Sequence, residues 1–136
     1  MKKFIIPFIF IFFLLPSFNN ELLAQDDEIF VVVDEQPRFK GGEKARTRYL
    51  INEINYPKEA LESEIEGVVF IEFIVEKDGS ISNAKVKRGV HELLDREALR
   101  VVKNMPNWSP GEQEGKPVRV KQNIPIRFKL DMKVNY

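Results

Sequence analysis

Residues 115–130 read GKPVRVKQNIPIRFKL, and this stretch decides which kind of sheet the chain can build. Apolar side chains fall on alternate positions, namely Val118, Val120, Ile124, Ile126, Phe128 and Leu130. Polar side chains fall between them, namely Arg119, Lys121, Asn123, Arg127 and Lys129. A period of two is typical of a strand with one buried face. Pro125 lies inside this strand and has no N–H to donate, so the pattern predicts an edge strand that is open on the Pro125 side.

The first 24 residues have the three parts of a secretory signal peptide. Two lysines precede the apolar residues 4–16, and Ala24 supplies a small residue before Gln25. As a helix at about 1.5 Å per residue, the apolar run is about 20 Å long, against a hydrocarbon core of about 30 Å. We therefore expect residues 1–24 to be cleaved after export. The alternative is an N-terminus that stays in the membrane as an uncleaved anchor.

The rest of the chain divides into an N-terminal extended arm, residues 25–40, and one domain, residues 41–136. The arm begins acidic and continues with an apolar, mostly β-branched run at 29–33, which indicates a strand or an extended segment. The chain contains no cysteine, so the domain has to be stabilised by burial alone. Domains above about 60 residues commonly achieve this without disulfides.

Three helices follow from the spacing of apolar residues. A helix is predicted at 43–53, and Pro57 suits the first turn of a second, short helix at 57–64. The main helix is predicted at 91–105, where intervals of four, three and four place one apolar stripe on a single face. That stripe consists of Leu94, Ala98, Val101 and Met105.

A β-hairpin is predicted before the main helix. The strand that begins at Gly67 has a wholly apolar face, made of Val69, Ile71, Phe73 and Val75. The Asp78-Gly79 pair predicts a type I′ hairpin turn, followed by a return strand at 81–88. Trp108 follows the main helix in a segment rich in proline, and we expect it to plug the core at that corner.

The residue types that carry catalysis or bind metals are scarce. His91 is the only histidine, so sites built from several His or Cys ligands are excluded, and its place before a helix is typical of a capping residue. No serine has a recognisable base and orienting partner. The 21 basic and 21 acidic side chains leave no basic excess for nucleic acid. We expect a binding protein without enzymatic activity, cofactor or metal.

An ordered set of short motifs resembles the C-terminal domain of the TonB family. The set covers about residues 40–130 and consists of Tyr56-Pro57, GVVFIEFIV at 67–75, KDG at 77–79, LDREA at 94–98, WSPG at 108–111, GKPV at 115–118 and IPIRF at 124–128. The preceding QPRFKGG at 36–42 is similar to the lead-in of TonB-like proteins from Bacteroidetes. No single motif is specific, but their order is.

The resemblance implies an α+β fold in which a three-stranded antiparallel sheet packs against one main helix, with one or two short helices before the hairpin. It also implies a periplasmic domain that binds the TonB box, a short segment of outer-membrane transporters, by pairing it with the last strand. The partner-binding residues implied are Tyr56, Pro57, Lys121, Gln122, Asn123, Ile124, Pro125, Ile126, Arg127 and Phe128. For Tyr56, a packed core aromatic is the alternative interpretation.

Three kinds of protein are compatible with these patterns. The first is a soluble periplasmic module that supports TonB-dependent transport by binding the TonB box. The second is an energy transducer whose uncleaved N-terminus works with inner-membrane motor proteins. A typical transducer of the family has a transmembrane helix and a long Pro-rich spacer before this domain, and we expect neither in this chain. The third is a domain that self-associates through its edge strand into a homodimer.

Overall fold

The computed structural model describes residues 28–131, so the expected signal peptide at 1–24 lies outside the described residues. In chain order the elements are β1 (Ile29–Phe30), β2 (Arg38–Phe39), α1 (Gly42–Glu53), α2 (Lys58–Glu62), β3 (Gly67–Val75), β4 (Ile81–Arg88), α3 (Glu92–Lys103), β5 (Trp108–Ser109), β6 (Gly111–Gln113) and β7 (Lys116–Phe128). Among these residues, no helix is both long enough and apolar enough to cross a membrane.

Strand β3 is the centre of the fold. It pairs antiparallel with β4 on one side and with β7 on the other, and α3 packs against this sheet. Its alternate residues Val69, Ile71, Phe73 and Val75 are all fully buried. The predicted α+β class, with a sheet packed against one main helix, is confirmed, and the three predicted antiparallel strands are β3, β4 and β7.

The number of strands exceeds the prediction. Strands β1 and β6 also pair with β7, which gives a five-stranded sheet, and β2 pairs with β5 in a separate two-stranded sheet. The four additional strands are two or three residues long. Segments this short carry no measurable period, so the alternation of apolar residues could not reveal them.

The apolar stripe of the main helix is confirmed. Leu94, Ala98 and Val101 are fully buried, and Met105, just beyond the end of α3, is 8% exposed. His91 is the N-cap, and its Nδ1 accepts a hydrogen bond from the Leu93 N–H at 3.1 Å. This bond satisfies one of the free N–H groups of the first helical turn, which is the capping role expected of His91.

The two smaller helices are also present, with different bounds. Helix α1 begins one residue before the predicted 43–53, at Gly42. Helix α2 is shorter than the predicted 57–64 at both ends. Pro57 stays extended as its N-cap, and Glu64, just beyond it, has a positive φ of 53°, which is incompatible with a continuing helix.

The turn between β3 and β4 differs from the predicted type I′. The Glu76 N–H donates to the Ser80 carbonyl at 2.8 Å, and the Gly79 N–H donates to the Glu76 carbonyl at 2.9 Å. Only Gly79 has positive φ, at 85°, whereas a type I′ turn needs positive φ at both central residues. The loop is a three-residue connection with glycine in the left-handed position, so the predicted hairpin is confirmed and its turn type was wrong.

A type I′ geometry occurs instead at the β6–β7 hairpin. Glu114 and Gly115 join the paired residues Gln113 and Lys116, and both have positive φ, 52° and 75°. This short hairpin leads the chain into β7.

Trp108 closes the corner between the main helix and the last strands, as expected. It is 4% exposed, and its ring lies edge-on to those of Phe39 and Phe73, with centroids 5.7 Å and 5.4 Å away. The backbone N–H of Trp108 donates to the Gly79 carbonyl at 2.8 Å, which ties the corner to the β3–β4 turn.

Candidate strand-docking edge

One edge of strand β7 is paired with β3, and its other edge is largely unpaired. On one side β3 pairs with it continuously from Val120 to Phe128. On the other side, within residues 28–131, the sheet continues only with β1, which reaches Arg119 and Val120 in parallel. The edge position predicted from Pro125 is therefore confirmed for residues 121–128, which we call the open edge.

The pairing around Pro125 indicates which backbone groups face outward. Pro125 lies opposite Phe70, and the ladder continues through its neighbours Ile124 and Ile126. A proline can lie in an intact antiparallel ladder only where its nitrogen faces away from the partner strand. The N–H groups of Asn123 and Arg127, which share the parity of Pro125, therefore face the open side.

The predicted binding residues of β7 fall into two groups. Ile124, Ile126 and Phe128 are at most 1% exposed, so their side chains belong to the core and only their main chain is available to a partner. The remaining positions keep part of their side chains in solvent, and these are Lys121, Gln122, Asn123, Pro125 and Arg127.

Gln122 has a specific contact within the chain. It shares the parity of the buried residues but is only half-buried, and its Nε2 donates to Oε1 of Gln36 at 3.1 Å. Gln36 belongs to the arm, so this contact ties the arm to the last strand. The arm was expected to be extended, but its proximity to the open edge was not predicted.

Tyr56 lies at the far end of the open edge. Its ring meets the buried Phe128 edge-on, with centroids 5.6 Å apart, and its hydroxyl donates to the Ile65 carbonyl. Burial raises the pKa of the Tyr56 phenol above its usual value. These contacts fit the alternative interpretation of Tyr56 as a packed aromatic. Pro57 follows it, half-buried, at the start of α2.

Ion pairs organise the face of the sheet that carries the polar side chains of β7. The Glu72 carboxylate lies 3.1 Å from Lys85 Nζ and 3.7 Å from Lys121 Nζ. The hydrogen bond from Lys85 is the main cause of the lowered pKa of Glu72, and the positive charge of Lys121 adds to it. Lys121 is thus already engaged across the strands.

A second ion pair stands where β3 ends. Glu76 accepts from Arg119 Nε at 2.7 Å and from its Nη2 at 3.1 Å, and the Ser82 hydroxyl also donates to it. The hydrogen bond from Arg119 is the main cause of the lowered pKa of Glu76. Arg127, at the other end of the open edge, is exposed and lies opposite the apolar Val68.

The described part of the chain has no recognisable metal site. Over residues 28–131, no three His, Cys, Asp or Glu side chains are grouped so that they could hold an ion. The arrangement on β7 offers main-chain hydrogen bonds and a few polar side chains, which suits the binding of an extended peptide.

Comparison with known families and proteins gives a consistent result. The family model described as Gram-negative bacterial TonB protein C-terminal matches residues 52–130, which is more than half of the 136-residue chain. Protein TonB of Vibrio cholerae serotype O1 is 36% identical over 77 residues, which cover 56% of this chain and 31% of that protein. The chain thus spans about a third of the length of this curated relative.

Among solved structures, two fragments of the Helicobacter pylori TonB C-terminal domain, both determined in solution by NMR, are similar. The shorter has a TM-score of 0.49 and 26% identity, with 65% of this chain and 92% of that chain covered. The longer has a TM-score of 0.48 and 22% identity, with 84% of this chain and 85% of that chain covered.

Proposed function

Because the chain belongs to the family of the Gram-negative bacterial TonB protein C-terminal domain, we propose that it is a periplasmic module that binds the TonB box of outer-membrane transporters by strand addition on β7. In this way it supports TonB-dependent transport across the outer membrane. The observation that carries the proposal is the open edge at residues 121–128.

The open edge has the dimensions of a peptide site. At about 3.4 Å per residue it is about 27 Å long, enough for a strand of about eight residues. Its outward N–H and C=O groups lack a strand partner among the described residues, and an incoming strand would satisfy them. Affinity then comes mainly from the backbone, which suits a partner segment that is short and extended.

Side chains of the open edge set the register of the added strand and the preference for particular peptide sequences. Those of Asn123, Pro125 and Arg127 are exposed on one face of the sheet, where every second side chain of the added strand would meet them. Arg127 favours an acidic side chain opposite it. The Tyr56 ring lies against Phe128, so Tyr56 and the Pro57 that follows it are candidates for contact with the end of the added strand beside Phe128.

The proposal contains no chemical step. The only histidine, His91, is occupied as the cap of α3, and the binding surface is made of main-chain groups. We therefore propose a binding protein without enzymatic activity, whose partners are peptide segments.

An amide-exchange experiment tests strand addition. We expect a synthetic peptide with the TonB box of a transporter from the same bacterium to protect the outward amides of Lys121, Asn123 and Arg127. The amides of Ile124 and Ile126, which face β3, should already be protected without peptide. Peptide that binds without new protection on β7 would place the site elsewhere. Light scattering detects the third candidate, a homodimer that closes the same edge.

The N-terminal residues decide between the first two candidates. We propose cleavage between Ala24 and Gln25, so the intact mass of the exported protein should correspond to a chain that begins at Gln25. A chain that begins at Met1 and fractionates with membranes would support an energy transducer that works with inner-membrane motor proteins.

A further inference from the structure

We infer that the exposed bend at Val31–Val32 is a second contact site, which receives an apolar side chain flanking the strand-forming segment of the partner. The inference rests on the proposed strand addition and deepens it. It concerns the end of the open edge beside Lys121, where the arm and the last strand meet.

Strand β1 determines where an added strand must stop. Ile29 and Phe30 pair in parallel with Arg119 and Val120, on the side of β7 that faces away from β3. An incoming strand cannot occupy these positions while β1 is paired, so its end lies beside Lys121. Any further partner residue at that end has to run past the bend that follows Phe30.

The bend presents apolar surface at this place. Val31 is 66% exposed and Val32 is 81% exposed, the two most exposed large hydrophobic side chains in residues 28–131. Isolated exposed valines are common and need no explanation. Two in succession, at the point where an open strand edge ends, offer a contact for an apolar side chain of the same partner.

The backbone of the bend is held on both sides. β1 fixes the residues before it. After it, the Asp34 N–H donates to Gln113 Oε1 at 3.0 Å, and Asp34 Oδ2 accepts from the Glu114 N–H at 2.9 Å. Glu35 and Glu112 exchange two backbone hydrogen bonds, of 3.0 Å and 2.9 Å. A contact that is already ordered loses little conformational entropy on binding.

The partner that fits is therefore longer than the open edge. It carries an extended segment of about eight residues and, one or two residues beyond the end beside Lys121, a leucine, isoleucine, valine or aromatic side chain. The bend lies at only one end of the open edge, so an apolar extension should raise affinity at only one terminus of the peptide. That terminus shows whether the added strand runs parallel or antiparallel to β7.

Four peptides test the inference on the protein as isolated from the cell. One carries the TonB box alone, one adds Leu-Leu at its N-terminus, one adds Leu-Leu at its C-terminus, and one adds Ser-Ser at the terminus that gains. We expect Leu-Leu at one terminus to lower Kd about tenfold and Ser-Ser to leave it unchanged.

The double change Val31→Ser and Val32→Ser should remove this tenfold gain and leave the Kd of the TonB-box peptide itself unchanged. Protection of the Arg119 amide should persist, which shows that β1 stays paired. The matched control is Ile51→Ser, at a 58% exposed apolar side chain on α1, and it should retain the gain.

Several outcomes would overturn the inference. If Leu-Leu lowers Kd equally in the serine double variant, the contact lies elsewhere. If Leu-Leu lowers Kd at both termini, the apolar binding is unspecific. A homodimer that the double variant dissociates would assign the valines to a second copy of the chain. Failure of the TonB-box peptide itself to bind would contradict strand addition, and the inference would fall with it.

Discussion

Pro125 lies directly opposite Phe70 in the ladder between β3 and β7, and pairing continues on both sides of it. The lack of an N–H at Pro125 costs the domain no internal hydrogen bond, because the Pro125 nitrogen faces the side on which no described strand pairs with residues 121–128. The proline also removes one donor from that side and so discourages pairing with unrelated strands. An edge that is open but interrupted at one position suits a selective peptide site.

The main helix depends on one small buried side chain. We predict that Ala98→Asp unfolds the domain, since Ala98 is fully buried in the contact between helix and sheet. An uncompensated buried charge costs about 3–5 kcal/mol, a large share of a typical stability of about 5–15 kcal/mol. Arg96→Asp, on the exposed side of α3, is the control and should lower Tm only slightly. Equal melting curves for both variants would show that the apolar face of α3, which contains Ala98, does not pack against the sheet.

Alanine substitutions at two glycines with similar φ distinguish the cost of backbone strain from the cost of a steric clash with the new Cβ. At Gly115, with φ of 75°, an added Cβ meets nothing within 4 Å, so Gly115→Ala should cost only about 1–2 kcal/mol for the left-handed conformation. At Gly79, with φ of 85°, the Cβ would lie 1.9 Å from the Trp108 carbonyl oxygen. Gly79→Ala should therefore destabilise clearly more in urea denaturation. Similar losses for both would mean that the Trp108 corner moves aside easily.

Stability should fall in acid because of the carboxylates on the sheet face. The pKa of Glu76 is lowered from its ordinary value of 4.5, chiefly by the hydrogen bond from Arg119. A lowered folded pKa means that the unfolded chain binds protons more readily, so this stability is present above about pH 4.5 and is lost as pH falls through the folded pKa.

Glu76→Gln should be less stable than wild type at pH 7 and should lose less stability between pH 6 and pH 3 in thermal melts. Glu62→Gln is the control, because it alters only a surface pair with 3.8 Å between Lys58 Nζ and the carboxylate. If Glu76→Gln and wild type lose stability in parallel, the Arg119 pair does not contribute to the acid sensitivity.

The long elements could be predicted from the sequence because each repeats its period several times. The alternation of β3 and β7 and the stripe of α3 predicted the sheet, the helix and the buried residues. The family resemblance, carried by the order of short motifs, is confirmed by the match over residues 52–130. Turn types were less predictable, since the hairpin at Asp78-Gly79 depends on loop length as well as on residue type.

For the candidate site, the sequence predicted only which side of the β7 backbone is unpaired. Pro125 predicted the open side, but not that β1 would cover Arg119 and Val120. The contact between Gln36 and Gln122 joins residues 86 positions apart, which no local pattern reveals. The alternation also left undecided how Tyr56 is used, because its contacts with Phe128 and Ile65 depend on the tertiary fold.

A pair of proline substitutions tests the central claim most directly. Asn123 shares the parity of Pro125, so Asn123→Pro removes a donor that faces the open side, whereas Gln122→Pro removes one that faces Phe73 of β3. We predict that Asn123→Pro keeps the Tm of wild type and weakens TonB-box peptide binding by about 0.5–1.5 kcal/mol, and that Gln122→Pro lowers Tm instead. If Asn123→Pro folds and binds the peptide as tightly as wild type in calorimetric titration, strand addition on β7 is wrong.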